Sequence, residues 1–331
     1  MKKLLFALIT ASVLILTACS DASSEGEIDT IVLADAGWDS INVHNYIAAQ
    51  IMEEGYGYDT DITSGSTAAT IQGLSDGDIN VYMEVWTDNI RDIYEELTEA
   101  GDIETLSVNF DDNNQGLYVP AYVIEGDPER GIEPLAPDLQ TVEDLKDYPE
   151  VFQDPEDPDK GRIINAPSGW AVEEAINDKF DFYELDETFN NFSPGSDSAI
   201  ITDLARAYEA GEGWVGYYWS PTAITAKYDL ILLEEAPYDE EIWEESKGTE
   251  FPPNDVVISV HPDFLEQAPE VVEFLEQYET SSALTEEALE YMEDNGASAE
   301  EAAIWWMQEH EDIWTAWLPE DTAQDVVDSL E

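Results

Sequence analysis

The 331-residue chain has a single cysteine, Cys19, so no disulfide can form within it. Its three histidines, His44, His261 and His310, are scattered, and neither HExxH nor another metal-ligand spacing occurs. There is no glycine-rich phosphate loop and no Gly-x-Ser-x-Gly elbow. These absences leave nucleophilic, metal and nucleotide chemistry without a motif, and no cofactor is expected. Basic side chains are also scarce: 11 Lys and Arg stand against 77 Asp and Glu, a formal net charge of −66. Such a surface repels nucleic acid and acidic lipid headgroups. After residue 16 no apolar run approaches the roughly 20 residues that a membrane-spanning helix needs. Among so many carboxylates some pair lies close by chance, so counts cannot argue for a glycosidase. Asp154-Pro-Glu-Asp-Pro-Asp-Lys-Gly161 superficially resembles a calcium loop. Two prolines break its ligand alternation and no glutamate closes it, so a solvated surface loop is expected.

The first residues carry an address. Lys2 and Lys3 precede an uncharged stretch from Leu4 to Leu16, and Leu16-Thr17-Ala18-Cys19 follows. That order reads as a secretory signal peptide, residues 1–18. Leu-Thr-Ala-Cys resembles the bacterial lipobox, which implies cleavage before Cys19 and a diacylated cysteine at the new N-terminus. Residues 20–27 are small and polar and read as a tether. The expected location is the outer face of the cell membrane, at the cell surface or in the periplasm. Losing Lys2 and Lys3 takes the net charge from −66 to −68. The acidity does not signal disorder, because 43% of residues are hydrophobic and 10 are tryptophan. The carboxylates run the whole length of the chain, as a surface adapted to a saline habitat would have them.

About 300 residues remain after cleavage, which suits two lobes. Alternating strands and helices predict an open α/β architecture. Ile31–Ala34 reads as a strand and Asp39 or Ser40 as the cap of a helix running to Gly55. Ser66 caps a helix to Leu74, and residues 79–86 alternate as a strand, with Tyr82, Glu84 and Trp86 on one side. Asp88 is expected to cap a helix that Gly101 closes. Prolines at 128, 134, 137, 149, 155 and 158 break up the next stretch. A second series follows, with strands at 162–165, 214–218 and 229–233 and a helix starting at Ser220-Pro221. Val256–Val260 reads as the strand that returns to the first lobe. The expected division is 28–121 plus 255–331 for lobe one and 122–254 for lobe two. The tail is helical, with a capping box at Ser298-Ala-Glu-Glu301. Ala302, Trp306, Ile313 and Trp317 fall on one face of it as packing.

Trp38, Trp86, Trp170 and Trp219 behave differently. Each lies at or after a strand and just before a helix start. Open α/β sheets bind ligands at the carboxyl ends of their strands. A cation over an indole face gains roughly 0.5–2 kcal/mol when desolvated. A quaternary ammonium has no N–H donors, so π faces select it where carboxylate hydrogen bonds cannot. If the ligand also carries a carboxylate, the helix opening after Trp170 offers it the backbone N–H groups of Ala171 and Val172.

Four segments carry a resemblance: Asp35-Ala-Gly-Trp38; Gly77-Asp-Ile-Asn-Val-Tyr-Met-Glu-Val-Trp-Thr87; Pro167-Ser-Gly-Trp170 with Glu173-Glu-Ala-Ile176; and Tyr217-Tyr-Trp-Ser-Pro-Thr222. In this order they are similar to the glycine betaine/proline betaine-binding proteins of ABC transporters, over roughly residues 29–330. The resemblance implies a two-lobed type II binding protein, closing on a zwitterion or quaternary ammonium and handing it to a permease, without catalysis. It implies an aromatic box of Trp86, Trp170 and Trp219, joined by Trp38, and carboxylate contacts from Ala171 and Val172. Some members place a histidine after the first box tryptophan, where this chain reads Thr87-Asp-Asn-Ile90. Asn89, or Ser40 and His44, are candidates to replace that contact. Choline, carnitine and other small solutes are rival ligands, and a surface hydrolase stacking sugars on its tryptophans is a rival of another class.

Carboxylate repulsion at this density predicts that the melting temperature rises with NaCl or KCl well beyond 0.15 M, because the Debye length shrinks to roughly 3 Å at 1 M. A thermal melt series to ~2 M salt that stays flat or falls contradicts the saline-surface reading.

Overall fold

The computed structural model describes residues 28–330. The signal segment, Cys19 and the tether lie outside the described residues. The first sheet begins with β1 (Thr30–Asp35), β2 (Asp59–Ser64), β3 (Val81–Trp86) and β4 (Glu104–Phe110). The second is built from β5 (Asn114–Pro120), β6 (Gly161–Ile164), β7 (Phe189–Phe192), β8 (Gly216–Ser220) and β9 (Leu230–Leu232). Strand β10 (Val256–Val260) then returns to the first sheet. The orders are β2-β1-β3-β10-β4 and β7-β6-β8-β5-β9. In each sheet the first three positions are parallel, and the strand that has crossed from the other lobe enters antiparallel. The result is an α/β protein of two lobes.

Local chemistry explains the helix starts nearest the cleft. The Ser66 hydroxyl accepts from Ala69 N–H and caps Thr67–Asp76, and Gly77 closes that helix at φ 79°. Ser298 and Glu301 form the expected capping box. Under the C-terminal helices lies a core of Ile31, Leu33, Val81 and Met83 from the sheet, with Phe264, Tyr278, Trp306 and Trp317 above it. A second core fills lobe two and continues across the cleft into lobe one, where it takes in Ile41, Ile71, Leu74, Tyr82 and Val85.

Several expected boundaries move. The chain leaves lobe one at residues 111–113 and not after 121, because β5 pairs antiparallel with β8 and β9. The proline-rich shift marks an excursion within lobe two. The return crossing is tied to the first one where Asn113 Nδ2 donates to the Asn254 carbonyl at 2.6 Å. The helix after Trp219 starts at Ala223, capped by Thr222, because Ser220 is still the last residue of β8. The first helix, Asp39–Gln50, has no side-chain cap. Asp88 lies in a short 3-10 turn and pairs with Arg91 instead of capping. The C-terminal helix breaks at His310, so Trp314 goes into the core while Ile313 is only half-buried. Trp306 and Trp317 still stack, with centroids 6.3 Å apart and planes at 18°. Asp154, in the acidic loop, is buried and salt-bridged to Arg162 at 2.6 Å, so it is not a solvated carboxylate.

Lobe two contains a cation within its interior. Lys179 Nζ lies 2.7 Å from Glu235 Oε1, with both side chains almost fully buried. It also donates to the Thr249 carbonyl and sits over the rings of Trp243 and Phe251. Removing one partner strands the other charge, so Glu235→Gln is expected to cost about 3–5 kcal/mol of stability. The double variant Lys179→Met/Glu235→Leu should recover most of it. Chemical denaturation measures both, and a Glu235→Gln loss below ~1 kcal/mol contradicts the packing account.

Candidate functional site

The carboxyl ends of both sheets face one cavity. It is lined from lobe one by Trp38, Thr67, Tyr82, Val85, Trp86, Asn89 and Ile90. Lobe two contributes Trp170, Ala171, Val172, Tyr217 and Trp219. None of these lining residues carries a formal charge.

The backbone sets each indole. Trp86 is the last residue of β3, and Trp219 is the penultimate residue of β8. Trp38 immediately precedes the helix Asp39–Gln50, in extended backbone. Trp170 lies in the turn before the helix Val172–Phe182. Three of the four rings contact one another, with Trp38 meeting Trp170 across the cleft. Trp170 meets Trp38 edge-on at 5.6 Å between centroids and Trp219 edge-on at 5.2 Å. Tyr217 stacks beside Trp219 at 6.0 Å and 20°. Gly37 and Gly169 flank the tryptophans that follow them, both at φ +99°, a backbone that side-chain-bearing residues rarely adopt.

The two lobes are also linked around the cavity. Ser220 Oγ donates to Glu286 at 2.8 Å, Lys227 pairs with Glu293, and Arg91 donates to the Tyr238 hydroxyl at 3.2 Å. Asn89 and Gln115 bond through their side-chain amides, with Gln115 Nε2 donating to Asn89 Oδ1 at 3.0 Å. Asn89 thus lines the cavity and also ties β3's end to β5.

The structure brings together Trp38, Trp86, Trp170, Trp219, Ala171, Val172 and Asn89. It places Ser40 and His44 elsewhere. His44 is buried against lobe one's core, bonded to the Tyr278 hydroxyl at 2.8 Å and to Thr285 at 3.3 Å. Burial depresses it to a pKa of about 3, so it is neutral. Ser40 donates to Glu84 Oε1 at 2.9 Å and borders a neighbouring cavity with Asp39, Asp197, Tyr218 and Thr222. Burial, and then the nearby Asp39 charge, raise Asp197 to about 7. The reason for both corrections is the same. Ser40 and His44 lie on the face of their helix that packs on the protein, one turn apart.

One residue that matters was passed over. Glu84 is fully buried in β3, a strand with no exposed residue. Its Oε1 accepts the indole N–H of Trp38 at 2.8 Å and of Trp86 at 3.0 Å, besides the Ser40 hydroxyl. A charge inside the otherwise apolar Val81–Trp86 run was the available signal.

A cleft between two α/β lobes, lined by aromatic faces and by the open end of a helix, defines a two-lobed solute-binding protein. The chain belongs to the family of substrate-binding domains of ABC-type glycine betaine transport systems, whose family model matches residues 29–309. It is the substrate-binding protein of an ABC transporter of the glycine betaine type, and not an enzyme. Among solved structures it is similar to an ABC-transporter choline-binding protein in complex with choline. The TM-score is 0.73 at 20% identity, over 92% of this chain and 98% of that one. It is similar to lactococcal OpuAC in its closed, glycine betaine-bound conformation, with TM-score 0.70 at 20% identity over 88% and 100% of the two chains. It is also similar to the glycine/betaine/L-proline-binding protein ProX of Borrelia burgdorferi. That TM-score is 0.70 at 17% identity over 90% and 99%. At these identities the structural likenesses speak for the fold alone.

Proposed function

We propose that the cavity captures a quaternary-ammonium osmolyte, glycine betaine or proline betaine, in a cage of Trp38, Trp86, Trp170 and Trp219. The observation that carries this is the meeting of four indoles from both lobes around one uncharged cavity. A trimethylammonium group is weakly hydrated and offers no donor, so its best partners are the negative faces of aromatic rings. The carboxylate of a betaine would take the N–H groups of Ala171 and Val172. These open the helix Val172–Phe182, where backbone donors have no acceptor within the helix. The lack of any lysine or arginine among the residues lining the cavity argues against an anion clamp. The interlobe contacts support closure around the ligand before delivery to the permease. Choline is the second reading. It lacks a carboxylate, and the buried Glu84 behind two of the indoles is the feature that favours a ligand of net positive charge.

We also propose anchoring to the outer face of the membrane through lipidated Cys19, with residues 20–27 as the tether. No helix among the described residues is long and apolar enough to cross a membrane.

Trp86→Ala, Trp170→Ala and Trp219→Ala are each expected to weaken glycine betaine binding by about tenfold or more, since ~1.4 kcal/mol is a factor of ten. Phe or Tyr replacements should be milder because a π face remains. Trp317→Ala should lower the melting temperature and leave affinity nearly unchanged. Calorimetry of each folded variant against glycine betaine, proline betaine, choline and glycine measures this. Three folded alanine variants that bind like the parent contradict the cage.

A further inference from the structure

Glu84 has an unusual set of partners. Three donors, Trp38 Nε1, Trp86 Nε1 and Ser40 Oγ, converge on its Oε1 within 3.0 Å. Its Oε2 is buried and has no hydrogen-bond partner among the described residues. An indole has only one polar hydrogen, so accepting it fixes the rotation of the ring. One carboxylate oxygen therefore orients two of the four rings that line the cavity, and both hydrogen bonds strengthen when the acceptor is ionised. The carboxylate is also a formal charge close behind a cavity whose own lining is uncharged.

We propose that Glu84 is a positioning and charge-balancing residue for the ligand: its carboxylate holds Trp38 and Trp86 by their N–H edges and favours a quaternary cation in front of them. This rests on the reading of the cavity as a quaternary-ammonium site. The coupling follows from linkage. Burial raises Glu84 to about 7, although hydrogen bonds from Trp86, Ser40 and Trp38 pull the other way. Near neutral pH it is divided between the acid and the carboxylate. A cation in the cavity favours the carboxylate, so binding expels a proton, and the carboxylate form binds the cation more tightly. Affinity thus rises with pH through this range.

Other titratable groups surround Glu84 and the cavity. Tyr82 on β3 and Tyr278 beyond the sheet both feel its charge and are raised, chiefly by burial, away from neutral pH. His44, bonded to Tyr278, is neutral above about 3. Asp35, at the end of β1, is held by Gly37 N–H and the Ser64 hydroxyl. Asp197, raised to about 7 by burial and the Asp39 charge, and Asp39, itself raised by burial, line the neighbouring cavity and are competing sources of pH dependence.

The test is calorimetry of the full-length protein in detergent with tetramethylammonium and with glycine betaine. Titrations run from pH 5.5 to 8.5 at constant ionic strength, in buffers of different ionisation enthalpy. The parent should bind tetramethylammonium about tenfold more tightly at pH 8.5 than at pH 5.5, a shift of ~1 in the carboxyl pKa on binding. It should also release a fraction of a proton near pH 7. Glu84→Gln should show a flat profile near the parent's pH 5.5 affinity, with no proton release. Asp197→Asn should keep the parent profile. A parent that binds both compounds with no pH dependence and no proton release overturns the role of Glu84 while leaving the cage intact. That reading holds even if Glu84→Gln fails to fold. A Glu84→Gln variant that keeps the parent profile, or Asp197→Asn abolishing it, also overturns the proposal. A parent that binds neither compound at any pH overturns the cage itself.

Discussion

The edge-on contact of Trp38 with Trp170, 5.6 Å between centroids, is where the two lobes meet over the cavity. Each lobe brings its indoles to the carboxyl end of its own parallel strands, the position from which an open α/β sheet addresses a ligand. Neither half is complete alone. Lobe one supplies Trp38 and Trp86, and lobe two supplies Trp170 and Trp219. Polar interlobe contacts lie around this aromatic centre, among them Asn89 with Gln115, Ser220 with Glu286, Lys227 with Glu293 and Arg91 with Tyr238. A water-excluded centre with a polar rim is an arrangement that can open and close, because the rim bonds can be exchanged for water at little net cost.

The chain reconciles a formal charge of −66 with an uncharged cavity by keeping its carboxylates outside. Glu84, the Lys179–Glu235 pair and Asp154, which is bonded to Arg162, are exceptions, and they are handled differently. Glu235 is neutralised by a cation. Glu84 has no cation hydrogen-bonded to it and is held by three donors, which stabilise a carboxylate without cancelling its charge. An isolated buried charge is costly and relaxes by taking up a proton. This physics makes a carboxylate in such a place responsive to whatever charge enters the neighbouring cavity.

Much of the site was legible because its determinants are local. Trp38, Trp86, Trp170 and Trp219 each stand at a strand-to-helix junction, and such junctions announce themselves through period and capping residues. Ser66 and Ser298 cap where their sequence context says they should. What escaped depends on contacts distant in sequence. Asp111-Asp112-Asn113 breaks β4 from β5 without telling that the chain changes lobe there, so the crossing is visible only from strand pairing. Ser40 and His44 lie on the buried face of their helix, and only the tertiary packing shows that Ser40 serves Glu84 while His44 enters lobe one's core. Glu84 was visible as a charge among apolar neighbours, but its partner Trp38 is 46 residues away. The helix through 302–317 was expected to be continuous, and the break at His310 lets Trp314 donate to the Met307 carbonyl at 2.7 Å.

The account turns on π faces recognising a positive charge and not merely an apolar shape. The direct test compares glycine betaine with 3,3-dimethylbutanoate, in which carbon replaces the quaternary nitrogen and the carboxylate is kept. Shape and carboxylate contacts are then matched, and only the cation is lost. Four indoles at roughly 0.5–2 kcal/mol each predict that glycine betaine binds at least tenfold more tightly in calorimetry at neutral pH. Equal affinities would contradict the account, because the cavity would then be selecting an apolar group of the right size.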